Sequence, residues 1–183
     1  PVWARISSNS ERGPSYSGLF AYIFEHDQYN RGMIQNAHFH AQLPHRYKEG
    51  TPIEPHVHVR LDPYSEGEAG QTLLLEFEYT WVNIGEKRPK STSIIAINYE
   101  VTDADLEGDN VLISLDMVEK PNATISSMLD CRFSRITIDP SWEKDFWTPA
   151  GLSNDTFMGD MIFKEFDFHY QIDLPGSRNI YSK

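Results

Sequence analysis

The sequence predicts an all-β protein, an antiparallel β-sandwich of the jelly-roll type. Three observations predict it. About eight segments alternate apolar and polar residues, the period of a strand whose successive side chains face opposite sides. Clusters of Pro, Gly, Asn and Asp separate these segments at short intervals, and no segment carries a long helical period. Aromatic residues make up 13% of the 183, which suits a packed β core. Many short strands with frequent turns are the signature of a two-sheet sandwich or barrel.

In chain order, Val2 to Ile6 is a short apolar patch, and a Ser-, Gly- and Pro-rich loop follows it to Gly18. Leu19 to Phe24 reads as a strand. Residues 36–61 read as two strands around the loop from Pro44 to Pro52. Gln71 to Ile84 is the longest strand signal, with Leu73, Leu75, Phe77, Tyr79 and Trp81 on one side and Glu76 and Glu78 on the other. Ile94 to Thr102, then Val111 to Met117, continue the alternation across an acidic turn at 103–109. Ile125 to Ile138 is a further strand, with Leu129, Cys131 and Phe133 on its core side. Residues 142–160 are irregular, and 162–174 return to alternation, with Phe166, Phe168 and Tyr170 opposite Asp167, His169 and Gln171. The expected organisation is an N-terminal arm over 1–18, one domain over 19–178 and a tail over 179–183. The length suits a single core.

Composition bounds the function. A net charge of −11 argues against nucleic-acid partners, whose phosphates select basic surfaces. No apolar run reaches the roughly 20 residues of a membrane-spanning helix, so no membrane partner is expected. The opening PVWARISSNS has neither the basic start nor the apolar core of a signal peptide. Cys131 is the only cysteine, so no intrachain disulfide forms, and its place in an apolar strand fits a small buried hydrophobe.

The most distinctive stretch is 36–61, which holds five of the seven histidines. His38 and His40 share one face of the first strand, and His56 and His58 share one face of the second. If the two strands pair as a hairpin, four imidazoles meet on one polar face. Neutral imidazole is the commonest transition-metal ligand, so the sharp expectation is a metal site at His56 and His58. His38, His40 or His169 would complete it within the chain, or three chains would each give one pair on a symmetry axis. The plainer expectation is a half-polar packing face, with these histidines hydrogen-bonded to Glu, Asp and Gln neighbours and no cofactor.

Gly50, His56 and His58 also resemble the opening of the first cupin motif. Asp62 stands where that motif has Glu, and Gly70 falls one residue late. In place of a second-motif histidine, Asn154 follows Pro149-Ala150-Gly151. The resemblance implies, as an alternative, a metal-dependent enzyme or a small-molecule or carbohydrate binder. Other chemistry has little support. No Gly-x-Ser-x-Gly is present, and the pairs Glu76/Glu78 and Asp167/Asp173 stand among 27 acidic residues. Asn122-Ala123-Thr124 and Asn154-Asp155-Thr156 fit the short glycosylation pattern. Trp142, Phe146, Trp147 and Phe157 would either stack on sugars or cap the sandwich.

Several blocks occur together in order: His40–Thr51, Ile53–His58, Phe77–Gly85, Ile125–Leu129 with Cys131-Arg132, and Phe166–Asp173 followed by Gly176-Ser177-Arg178. In this the chain resembles a family of viral structural proteins, mostly from tailed phages. Val59 stands where an aromatic is expected, and Pro175 where a small or polar residue is. The resemblance implies a non-enzymatic jelly-roll module of the virion, in a capsid, collar, or tail fibre or spike. It implies a homotrimer in contact with other virion proteins, with a host surface glycan as an attachment partner.

Overall fold

The computed structural model describes residues 2–6, 19–25, 33–137 and 152–172. Among these, nine strands and one short helix follow in the order β1 (Val2–Ile6), β2 (Leu19–Phe24), β3 (Met33–Gln42), β4 (Ile53–Asp62), β5 (Thr72–Val82), β6 (Ser93–Glu100), α1 (Asp103–Glu107), β7 (Val111–Ser114), β8 (Met128–Thr137) and β9 (Asp160–Tyr170). One sheet, here sheet A, has the order β1-β2-β9-β4-β7, and the other, sheet B, has β3-β8-β5-β6.

That order is a jelly roll. Strands β2 to β5 run out and β6 to β9 run back, giving the pairs β2–β9, β3–β8, β4–β7 and β5–β6. Rolling this long hairpin brings β4 against β9 and β5 against β8. All pairings are antiparallel. Between β2 and β9, successive strands therefore change sheet at every connection except β5–β6.

The core lies between the sheets. Ile53, Val57, Val59 and Leu61 of β4 face Leu73, Leu75 and Phe77 of β5 with almost no exposure. Phe77 sits at the centre, with the rings of Phe166, Tyr79 and Phe168 at 4.8, 5.3 and 6.1 Å. Such ring pairs contribute ~0.5–1.5 kcal/mol each beyond the area they bury. Cys131 belongs to this core, and burial with the neighbouring Asp130 pushes its thiol up to about 12.

The polar strand faces point outward, as the alternation predicts. Glu76 and Glu78 of β5 both pair with Arg132 of β8, at 3.0 and 2.7 Å. Two carboxylates in register thus form an ion-pair ladder with Arg132 on the neighbouring strand.

Four features depart from the sequence reading. The apolar patch at Val2–Ile6, assigned to an arm, pairs along its whole length with β2 and widens sheet A. The acidic turn at 103–109 contains a one-turn helix closed by a capping box between Thr102 and Asp105. The final strand is not strictly alternating: the register between β4 and β9 shifts after His58, so Phe163 and Phe166 both pack toward the core. Lastly, β3 and β4 do not form a hairpin, because the 43–52 connection carries the chain from one sheet to the other.

A buried arginine joins the sheets at one end. All five N–H groups of Arg135 are used: Nε and Nη2 donate to the Asp155 carboxylate at 2.9 Å each, and Nη1 to the carbonyls of Phe24 and Gly159 at 3.0 and 2.8 Å. Nη2 also donates to the Phe157 carbonyl, and the guanidinium lies over the Phe157 ring. Asp155 accepts in addition from the Leu74 amide. Gly159 is obligatory there, since a Cβ would sit 2.4 Å from the Asp62 carbonyl oxygen.

Candidate functional site

The sheet assignment separates the histidines. His56 and His58 lie on the outer face of sheet A, and His38 and His40 on the outer face of sheet B, across the sandwich. The four-imidazole face does not form, and His38 and His40 cannot complete a site at His56 and His58 within one chain.

On sheet B, His40 Nδ1 lies 2.8 Å from Asp130 Oδ1, and Arg88 approaches the other Asp130 oxygen at 3.7 Å. His38 stands opposite Arg132, already engaged by Glu76 and Glu78. A cleft of about 300 Å³ opens here, lined by His38, His40, Glu78, Arg88, Asp130 and Arg132 among others. The carboxylates nearest these histidines already have cationic or imidazole partners.

On sheet A the arrangement differs. The register places Asp167 of β9 directly opposite His56 of β4. Asp167 Oδ2 stands 3.6 Å from His56 Nε2 and 3.5 Å from His58 Nε2. One ligand atom from each of the three residues lies within 4.8 Å of the other two. His58 Nδ1 lies 3.3 Å from Asn110 Oδ1. Side-chain exposure rises from 6% at His56 to 22% at His58 and 38% at Asp167, so the group opens to solvent on the Asp167 side. Both strands are interior to the sheet, with β4 between β9 and β7, and β9 between β2 and β4.

His56 is held below the ordinary imidazole range. Burial is the main cause, and His169 adds to it; Asp167 opposes the shift, His58 adds to it, and a hydrogen bond to the Glu54 backbone opposes it. A neutral ring is the form that can ligate a metal. His169 packs against His56 with ring centroids 4.4 Å apart, but stands outside the converging set. Beside it, a cleft of about 190 Å³ is lined by His56, His169, Leu112, Leu115 and Met117 among others.

The sequence reading named His56 and His58 and missed Asp167 as their partner. The signal available in the sequence is its position: Asp167 shares a strand face with His169, one of the candidate further ligands. Asp62, in the cupin-like acid position, stands 3.9 Å from the Arg60 guanidinium and is not part of the converging set. Phe157, considered for sugar stacking, is fully buried against Arg135. Trp142, Phe146, Trp147 and Asp173 lie outside the described residues. Both glycosylation-like triplets carry structural roles: Ala123 is buried in the core, and Asp155 binds Arg135.

No family model matches the chain, and no curated protein matches it. Among solved structures, the chain is similar to a carbohydrate-binding module, TmCBM61, determined in complex with β-1,4-galactotriose. The identity is 8% and the TM-score 0.37, over 86% of this chain and 74% of that one. At that score the likeness carries no functional weight.

Proposed function

We propose that the chain is a structural module of a virus particle that associates with copies of itself, as a trimer, and acts by assembly and display without turnover. The observation that carries this reading is the ordered set of sequence blocks from His40 to Arg178 resembling tailed-phage structural proteins. The jelly-roll topology is compatible with it, being common in capsid proteins, although the same fold also serves lectins and cupins.

A margin suited to association runs beside the histidine cluster. Leu112 and Met117 border the cleft there at 48% and 55% exposure, and Tyr170 lies across Ile53 from the Val118 bridge. The adjoining β7 is a four-residue edge strand. Exposed apolar side chains along an edge are surface that a neighbouring copy of the chain in a closed ring can cover.

The metal-dependent cupin-like alternative has less support. The carboxylate beside His56 and His58 comes from β9, not from the motif position Asp62, and aromatic rings fill the space between the sheets. Light scattering on the native protein tests the main reading. A stable oligomer of three chains is expected, with Leu112→Asp and Met117→Asp together shifting it toward monomer. A native protein that is monomeric at every concentration would overturn it.

A further inference from the structure

We propose that His56, His58 and Asp167 form a binding site for one first-row divalent transition-metal ion per chain, with part of the coordination sphere open to solvent. The inference does not depend on the virion reading and would hold for a monomer.

Spacing is the first argument. The Asp167 oxygen lies 3.6 and 3.5 Å from the two imidazole nitrogens. Hydrogen bonds between such groups close to ~2.7–3.2 Å, so these three groups converge without satisfying one another. A tetrahedral ion with bonds of ~2.0–2.1 Å holds its ligand atoms ~3.4 Å apart. The observed carboxylate–imidazole separations are close to those an ion would impose, and all three ligand atoms lie within 4.8 Å of one another, so the two rings close inward to complete the set.

Orientation is the second. Metal-binding histidines are usually held by a hydrogen bond on the ring nitrogen that does not ligate. His58 turns Nδ1 to Asn110 and leaves Nε2 toward Asp167. The His56 ring packs against those of His58 and His169, with centroids 5.2 and 4.4 Å away. The three groups come from two paired interior strands, so their placement does not rely on a loop. The register between β4 and β9 shifts immediately after His58, and such irregularities commonly re-aim neighbouring side chains.

The donor set fixes the class of ion. Two imidazoles and one carboxylate suit Zn²⁺, Co²⁺, Ni²⁺ or Fe²⁺, whereas Ca²⁺ and Mg²⁺ prefer oxygen alone. Three protein ligands leave at least one position for water or a further donor. The exposed Asp167 side provides the way in.

The test uses untagged full-length protein stripped with a chelator. Zn²⁺ is titrated by calorimetry, and Co²⁺ by visible absorption, which reports coordination geometry directly. The expected result is one ion per chain, with Mg²⁺ and Ca²⁺ failing to compete. Asp167→Asn and His58→Ala should each weaken Zn²⁺ binding by ~100-fold or more, since even second-shell changes cost ~10–100-fold. His38→Ala/His40→Ala should bind as wild type. Asp167→Asn is nearly isosteric at a partly exposed position, and its metal-free unfolding curve should match wild type. No binding, binding indifferent to both site variants, or one ion per three chains would each overturn the proposal.

Discussion

The two outer faces of the sandwich each carry a His-x-His pair, and the neighbours of each pair are different. On sheet B, His38 and His40 stand beside Arg132, Arg88 and Asp130, in a ladder where each nearby carboxylate has a cationic or imidazole partner. On sheet A, His56 and His58 share one carboxylate, Asp167, at distances too long for good hydrogen bonds. The spacing of two histidines along a strand puts them on one face and does no more. Their chemistry depends on which residue the neighbouring strand sets opposite them, and that is a property of register.

The largest expected effect comes from breaking what both faces depend on. The Arg135–Asp155 pair has no exposed side-chain surface and ties β8 to the end of β2 and the 155–159 segment. Removing one partner leaves an uncompensated buried charge, so Arg135→Met should cost ~3–5 kcal/mol in urea unfolding. Adding Asp155→Leu should recover part of that loss. If the single variant costs no more than an exposed ion pair, the two sheets are not joined there.

A smaller effect should separate the faces. Arg132 partners Glu76, whose side chain is only 7% exposed. Arg132→Ala should therefore destabilise by ~1–3 kcal/mol, the cost of stranding a buried acceptor. It should leave metal binding on sheet A untouched. Loss of Zn²⁺ binding in this variant, measured by calorimetry, would mean that the faces are not independent.

The smallest effect concerns pH. His56 is held below its ordinary value, so the folded state favours the neutral ring more than the unfolded state does. Its contribution to stability is fully present above the unfolded value near 6.5 and is lost as pH falls through the lower folded value. The urea midpoint of metal-free protein should drop below pH 6.5, and less steeply in His56→Gln. Equal slopes in the two proteins would remove His56 as a cause.

Much of this comparison was legible in the sequence. Alternation placed all five strand histidines on outward faces, and it placed Leu129, Cys131 and Phe133 in the core, because facing is a local property of an extended chain. Which sheet each strand joins is not local. A nine-residue loop such as 44–52 serves a hairpin or a crossover between sheets ~10 Å apart equally well, so the pairing of β3 with β8 lay beyond it. The same holds for Asp167, more than a hundred residues from His58, and for Arg135 with Asp155, twenty residues apart across an irregular segment. The shift in β9 was hidden because its aromatic residues suit either face.

The most direct measurement is a nuclear magnetic resonance titration of the imidazole ring nitrogens with substoichiometric Zn²⁺. The ring signals of His56 and His58 should move together from the first addition, while those of His38 and His40 stay fixed. A response first at His38 and His40, or at all histidines equally, would contradict the claim that the carboxylate set opposite each pair decides its chemistry.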